Sequence, residues 1–254
     1  MVPIRAKLEE SAVTFGTWLA IGSSHSAEVM GQVGYDWVIV DAQHGGMSEA
    51  HLLPMLQALD LTGTPALVRV NWLDPALIMR VCDLGAAGVV VPLVNTADDA
   101  RRAVEAMRYP PQGMRSFGPV RGGYAGVAAP EDPLCLCMIE TVEALDNLDA
   151  IAATPGLDGL LVGPVDLALS MGHGLSLQMP DEVLAAIEKV AAACQANGLI
   201  CASFAMGPDN AAELVKRGVT FIGSGSDAMA MRRASGEDLA ALRAIGGGDT
   251  HGAR

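Results

Sequence analysis

At 254 residues, 51% hydrophobic and 18% charged, the chain can form one large α/β barrel or two small domains, and it has the composition of a globular protein rather than a disordered one. A net charge of -13 argues against nucleic acid and anionic lipid as partners, since either requires a basic face, although a pocket can still be locally positive. The longest uncharged stretch, 190–208, is interrupted by Gln195, Asn197-Gly198 and Gly207-Pro208, which argues against a membrane span. No basic and apolar leader opens the chain, so a cytoplasmic location is expected.

In chain order, short apolar or β-branched runs alternate with longer segments of helical period. The runs are TFGTWLAI (14–21), WVIVD (37–41), PALVRV (65–70), GVVVPL (88–93), CLCMIE (135–140), GLLVG (159–163), LICASF (199–204) and TFIGSG (220–225). Helices are expected between and after them at 26–33, 49–59, 75–84, 97–108, 141–153, 181–196, 209–217 and 228–245. Eight such units in this length predict a single-domain (β/α)8 TIM barrel over 1–245, and runs that are apolar throughout suit parallel strands covered on both sides. Glycines at 34, 85 and 218 sit where helices should stop, and Pro75, Pro180 and Pro208 near helix starts. The Gly/Pro-rich connection 109–133 is long enough to cover an end of the barrel, and 246–254 reads as an unstructured tail. The five cysteines fall inside expected elements, and Cys135-Leu136-Cys137 is a strand alternation, so buried free thiols are expected.

The polar residues fall at one set of strand ends. Asp41 ends the second run with His44 just after it, Arg69 ends the third, Glu140 ends the fifth, and Asp166 follows the sixth. Carboxyl ends of barrel strands open onto one mouth, where chemistry is done. Two carboxylates leave most of the coordination sphere of Mg2+ or Mn2+ open to a 2-oxo acid, and Co2+ suits such oxygen ligands equally. The ion would acidify the carbon beside the ketone, Arg69 would add a second positive group, and His44 oriented by Asp41 would move a proton. Schiff-base chemistry needs a lysine at a strand end, and the lysines are only Lys7, Lys189 and Lys216, at the amino terminus and within helices.

The motifs GTWL (16–19), DAQHG (41–45), RYPPQGMRSFG (108–118), IETVEALDNLDAI (139–151) and GPVDLALSMG (163–172), taken in this order, resemble the metal-dependent 2-oxo acid aldolases of the HpcH/HpaI type. The resemblance runs from about residue 15 to 231. It implies aldol addition and cleavage between a pyruvate-type 2-oxo acid, pyruvate or hydroxypyruvate, and an aldehyde. It also implies assembly into homo-hexamers with the last helix packed on a neighbouring subunit. By position it makes Glu140 and Asp166 the metal ligands, Arg69 the group that steadies the enolate, and His44 with Asp41 an acid–base dyad. Backbone near Gly163, Pro164, Val165 and Asp166 would bind the substrate carboxylate. Two residues depart from the family pattern. Gln43 stands where many members have Glu, and Met138 stands where many have Gln, on the same strand face as Glu140.

Blander readings exist for each residue. Glu140 and Asp166 also suit helix N-termini, Arg69 could pair with Asp41 or Asp74, and His44 could be a surface histidine. Gly223-Ser224-Gly225-Ser226 could bind phosphate through its amides or serve close packing. Two other functions are compatible. A malyl- or citramalyl-thioester lyase would need basic residues for coenzyme A, and beyond Arg115 and Arg121 no cluster is present. The other is a non-catalytic binding barrel.

Overall fold

A computed structural model of the chain describes residues 3–118, 121, 132–175 and 178–245. All eight apolar runs are strands: β1 (Thr14–Leu19), β2 (Trp37–Asp41), β3 (Ala66–Arg69), β4 (Gly88–Val91), β5 (Leu134–Ile139), β6 (Gly159–Val162), β7 (Ile200–Ala205) and β8 (Phe221–Ser226). They pair in parallel in chain order, and β8 closes on β1. The expected (β/α)8 barrel is therefore the observed one. The helices are α1 (Ile4–Glu10), α2 (Ser24–Gly31), α3 (Glu49–Thr62), α4 (Pro75–Asp83), α5 (Ala97–Met107), α6 (Val142–Asp146), α7 (Leu148–Ala152), α8 (Pro164–Ser170), α9 (Asp181–Asn197), α10 (Pro208–Lys216) and α11 (Asp227–Ile245).

Strand alternation sorts the core into two layers. Trp37 and Ile39 of β2, Leu67 of β3, Leu134, Leu136 and Met138 of β5, and Leu161 of β6 fill the barrel interior. Their sequence neighbours, among them Val38, Val40, Val68, Cys135, Cys137 and Val162, face outward and pack in the layer that includes the helices. Because side chains alternate with period 2, the inward parity of each strand continues to Asp41, Arg69 and Glu140 at the carboxyl end. Inside, Trp37 stacks on Phe221 with ring centroids 3.7 Å apart, an arrangement that adds about 0.5–1.5 kcal/mol beyond area burial. Gly16 makes room for it, since a Cβ there would lie 2.2 Å from the Trp37 ring.

The structure adds two helices to those expected and divides a third. Residues 4–10 form α1, whose Ile4 and Leu8, one turn apart, pack into the interior cluster. The expected helix 141–153 is two short helices, α6 and α7. Asn147 divides them, with φ -98° and ψ 8°, and donates from Nδ2 to the Asn95 carbonyl at 2.9 Å. Residues 164–170 form α8, with Pro164 in its first turn. In the long connection, Arg115 pairs with Asp83 at 2.7 Å, at the end of α4 that leads into β4, so the described part packs at the amino-terminal side, away from the mouth. Residues 119, 120 and 122–131 of that connection, and the tail 246–254, lie outside the described residues. All five cysteines are free and buried, as expected. Among the described residues no helix is long and apolar enough to cross a membrane.

Candidate active site at the carboxyl end of the barrel

Asp41 and Arg69 end adjacent strands and are partners in register. That register brings the guanidinium onto the carboxylate in a two-point ion pair, Nε to Oδ1 at 2.9 Å and Nη2 to Oδ2 at 2.7 Å. Both side chains are about nine-tenths buried. The tight turn after β2 adds two more donors to Oδ1, the amides of Gln43 at 3.2 Å and His44 at 3.1 Å. Asp41 is thereby fully occupied, and its expected contact with the His44 imidazole is not made. It holds His44 through the main chain and Arg69 through the side chain. The His44 side chain is exposed.

Arg69 is fixed from a second direction. Its guanidinium carbon lies 4.4 Å from the centroid of the Trp18 ring, a cation–π contact worth about 0.5–2 kcal/mol. With Nε and Nη2 taken by Asp41 and one face covered by Trp18, Nη1 is left without a partner among the described residues, and it is not shut off from solvent. One arginine donor is thus pre-aimed. Trp18, in the GTWL motif, faces the barrel interior, and its role as a brace for Arg69 carries no sequence signal beyond strand parity. Its indole Nε1 is itself buried without a partner among the described residues, 2.8 Å from where a Cβ on Gly223 would stand, so Gly223 serves close packing rather than an anion.

Glu140 follows β5 and is only 3% exposed. Thr141, not Glu140, caps α6, its hydroxyl accepting from the Ala144 amide at 3.0 Å. Glu140 turns inward and Oε1 accepts the Leu93 amide at 2.7 Å. Leu93 has φ 53°, a left-handed conformation that a branched residue adopts only under constraint, and no sequence signal announced it. Gly163, at the end of β6, presses on the other side of the carboxylate. A Cβ at Gly163 would come within 2.7 Å of Oε2 and 3.1 Å of the Met138 methyl. Met138 itself is 2% exposed and forms the floor beneath Glu140.

Burial is the main cause that pushes the Glu140 carboxyl above its ordinary range; the Leu93 amide opposes it, the negative charge of Asp166 raises it further and Arg69 lowers it. Asp166 therefore shares this end of the barrel with Glu140, in the first turn of α8, exposed and without a hydrogen bond to its carboxylate among the described residues. Two acids at the same end of the barrel, one of them desolvated, concentrate negative charge there. Hard oxygen donors in that setting fit a divalent cation. Among the described residues no group of three or more His, Cys, Asp or Glu gathers in a metal-holding cluster, at this mouth or away from it, so the protein would offer an ion two carboxylates here.

Gly163 and Pro164 are buried beside Glu140, while Val165 is 40% exposed at the mouth. The Gln43 Oε1 is enclosed and has no partner among the described residues. A glutamate in its place would add a second enclosed charge next to Asp41. The lysines stand off the strand ends, Lys7 on α1, Lys189 on α9 and Lys216 in the last turn of α10. The two cations a thioester lyase would have called on are committed elsewhere, Arg115 to Asp83 and Arg121 to Asp60 at 2.5 Å.

An eight-stranded parallel barrel whose strand ends gather two acids, a braced arginine and a loop histidine belongs to the class of barrel lyases that act on carbon–carbon bonds. The sequence pattern of the HpcH/HpaI aldolase/citrate lyase family matches residues 14–234, and the chain belongs to that family. It is 37% identical to the 2-dehydro-3,6-dideoxy-6-sulfogluconate aldolase of Pseudomonas putida, over 93% of this chain and 95% of that protein. It is 36% identical to the 5-keto-4-deoxy-D-glucarate aldolase of Salmonella paratyphi C (strain RKS4594), over 93% and 94% respectively. Its fold superposes with a TM-score of 0.86 on the crystal structure of a family protein from Burkholderia cenocepacia J2315, at 30% identity, covering 94% of this chain and 98% of that one.

Proposed function

We propose that the chain is an aldolase that joins and cleaves a pyruvate-type 2-oxo acid, pyruvate or hydroxypyruvate, and an aldehyde with the help of a divalent cation. The observation that carries this reading is the pairing of buried Glu140 with nearby Asp166 under a pre-aimed Arg69. The aldolase names of relatives that are 36–37% identical over nearly the whole chain support it.

Glu140, through Oε2, and Asp166 are the residues that would hold the ion, Mg2+, Mn2+ or Co2+. When bound, the ion supplies a Lewis acid that lowers the acidity barrier at the carbon beside the ketone. Arg69 Nη1 donates to the ketone oxygen, where negative charge develops as the bond breaks. In the cleavage direction the His44 imidazole takes the proton of the substrate hydroxyl, the carbon–carbon bond opens, and its electron pair passes toward the ketone oxygen. A proton returned to the new methyl carbon completes the 2-oxo acid. Asp41 holds Arg69 in plane and fixes the His44 backbone, while main chain around Gly163, Pro164 and Val165 meets the substrate carboxylate. Gln43 and Met138 adjust the polarity behind these groups.

Assembly is part of the same reading. Helix α11 buries only Asp227 and exposes Met229, Met231, Leu239, Leu242 and Ile245, apolar surface that a second copy would cover in a homo-hexamer. Replacing Leu239 and Leu242 with Glu should then yield smaller species in sedimentation.

The decisive assay needs no knowledge of the natural aldehyde. Pyruvate is incubated with metal-loaded protein in D2O and loss of its methyl proton signal is followed by NMR. Exchange is expected with the ion present, and lost with EDTA or in Glu140→Gln. The same exchange is read at the hydroxymethylene protons of hydroxypyruvate, and a background rate with both acids in the fully loaded wild-type protein would reject the proposal.

A further inference from the structure

Asp227, the first residue of α11, is 3% exposed and has no ion-pair partner among the described residues. Its carboxylate instead collects four donors. Oδ1 accepts the amides of Ala20 and Ala228, each at 2.8 Å. Oδ2 accepts the Ser26 hydroxyl at 2.8 Å and the Ile21 amide at 3.4 Å. Three of these donors belong to the segment after β1, so the acid ties the root of the last helix to the β1–α2 loop.

The tie extends to the residues of the mouth. Ala20, whose N–H is held by Asp227, offers its carbonyl to the Gly46 amide at 2.8 Å. Gly45, between Gly46 and His44, bonds back to the Asp41 carbonyl at 3.1 Å and has no room for a side chain, since a Cβ would meet that oxygen at 2.3 Å. Gly22 presses the β1–α2 loop onto the same turn, where a Cβ would lie 2.8 Å from Met47 Cβ. One residue, Ala20, is thus gripped through its N–H by Asp227 and through its carbonyl by the turn that carries His44.

We infer that Asp227 is a positioning residue for His44, coupling the seating of the last helix to the acid–base group across the rim of the barrel. The inference rests on the role proposed above for His44. A carboxylate is suited to this position because three of the groups facing it are amides that can only donate and the fourth, the Ser26 hydroxyl, donates as well. An asparagine must turn its own N–H2 either toward the Ala20 and Ala228 amides or toward the Ser26 hydroxyl, which can accept it, and the Ile21 amide, which cannot. The rest of α11 is exposed, so Asp227 is the buried anchor through which a load on that helix reaches the barrel.

The test combines hydrogen exchange with a double-mutant cycle in the metal-loaded enzyme. Asp227→Asn, with Asp227→Ala in parallel, is compared with wild type by exchange mass spectrometry, resolving residues 20–26 from 42–47. Turnover is measured for the same changes in wild-type and His44→Ala backgrounds. Exchange is expected to rise in both segments, kcat to fall about tenfold, within the range a positioned acid–base group supplies, and the fall to shrink below about twofold once His44 is gone. Faster exchange confined to 20–26, or an equal kcat loss in both backgrounds, overturns the coupling. An unaltered kcat in His44→Ala alone instead defeats the acid–base role of His44, and the exchange at 42–47 still decides whether Asp227 controls that turn. If one variant at Asp227 does not fold, the other carries the comparison.

Discussion

Gly163→Ala tests the geometry around Glu140 with the smallest possible change. The φ of -89° at Gly163 suits any residue, so the substitution acts by steric contact and not by backbone strain. The new methyl carbon would stand 2.7 Å from Glu140 Oε2 and 3.1 Å from both Glu140 Cβ and the Met138 methyl. Ordinary van der Waals separation requires a retreat of about 0.5–1 Å. The carboxylate cannot simply swing away, because Oε1 is held by the Leu93 amide at 2.7 Å. Overpacking of this kind costs about 1–3 kcal/mol of stability, and a displacement near 1 Å in a reacting constellation costs about 10²-fold in rate. The variant should therefore melt a few degrees lower, bind Mn2+ more weakly by calorimetry, and lose roughly two orders of magnitude in pyruvate methyl exchange. A folded Gly163→Ala protein with wild-type Mn2+ affinity and exchange rate would show that Oε2 is not where the reaction needs it.

Other expectations can be checked alongside. Asp41→Asn leaves the Arg69 guanidinium enclosed without its counter-ion, and breaking a pair buried to this degree costs about 3–5 kcal/mol, to be read from denaturant unfolding. Arg69→Lys keeps the charge but loses the two-point contact and the stacking on Trp18, so it should lose about 0.5–2 kcal/mol in the same unfolding measurement, less than Asp41→Asn, while kcat falls about 10²–10³-fold, the loss seen when one pre-aimed donor is removed. Burial pushes the Cys82 thiol up to about 12. Since its folded value lies above the unfolded one, its contribution to stability is intact below the ordinary thiol range and is lost as pH rises toward 12. All five cysteines are free and buried, so they should resist a thiol reagent in the native protein at pH 8 and all react on unfolding. EDTA should abolish turnover with aldehyde and 2-oxo acid, with Mg2+ or Mn2+ restoring it.

Much of the fold was legible in the order of residues because each barrel unit carries its own local signals. Eight apolar runs, glycines where helices stop and prolines where they begin are properties of a few neighbouring residues. In the structure Gly85 and Gly218 hold the positive φ, 89° and 90°, that those stops require. Strand parity also travels along the sequence, so the inward direction of Asp41, Arg69 and Glu140 follows from the apolar residues two positions before each. What escaped was local but weak, as in α1, where a single turn of apolar spacing preceded the first run, or nonlocal, as in the division of 141–153 at Asn147, which is bonded to Asn95.

The partnerships at the mouth belong to tertiary structure alone. Asp41 was expected to serve His44, three residues away, yet the register of β2 against β3 sets it opposite Arg69, which supplies two charged donors where the imidazole offers at most one. The left-handed Leu93 amide on Glu140, the clearance at Gly163 and the grip of Asp227 on Ala20 likewise join residues from 23 to 207 positions apart. Sequence determines which side chains reach the open end of the barrel, because alternation is a short-range rule. Which of them touch there depends on closing the sheet, and only the closed sheet fixes those distances.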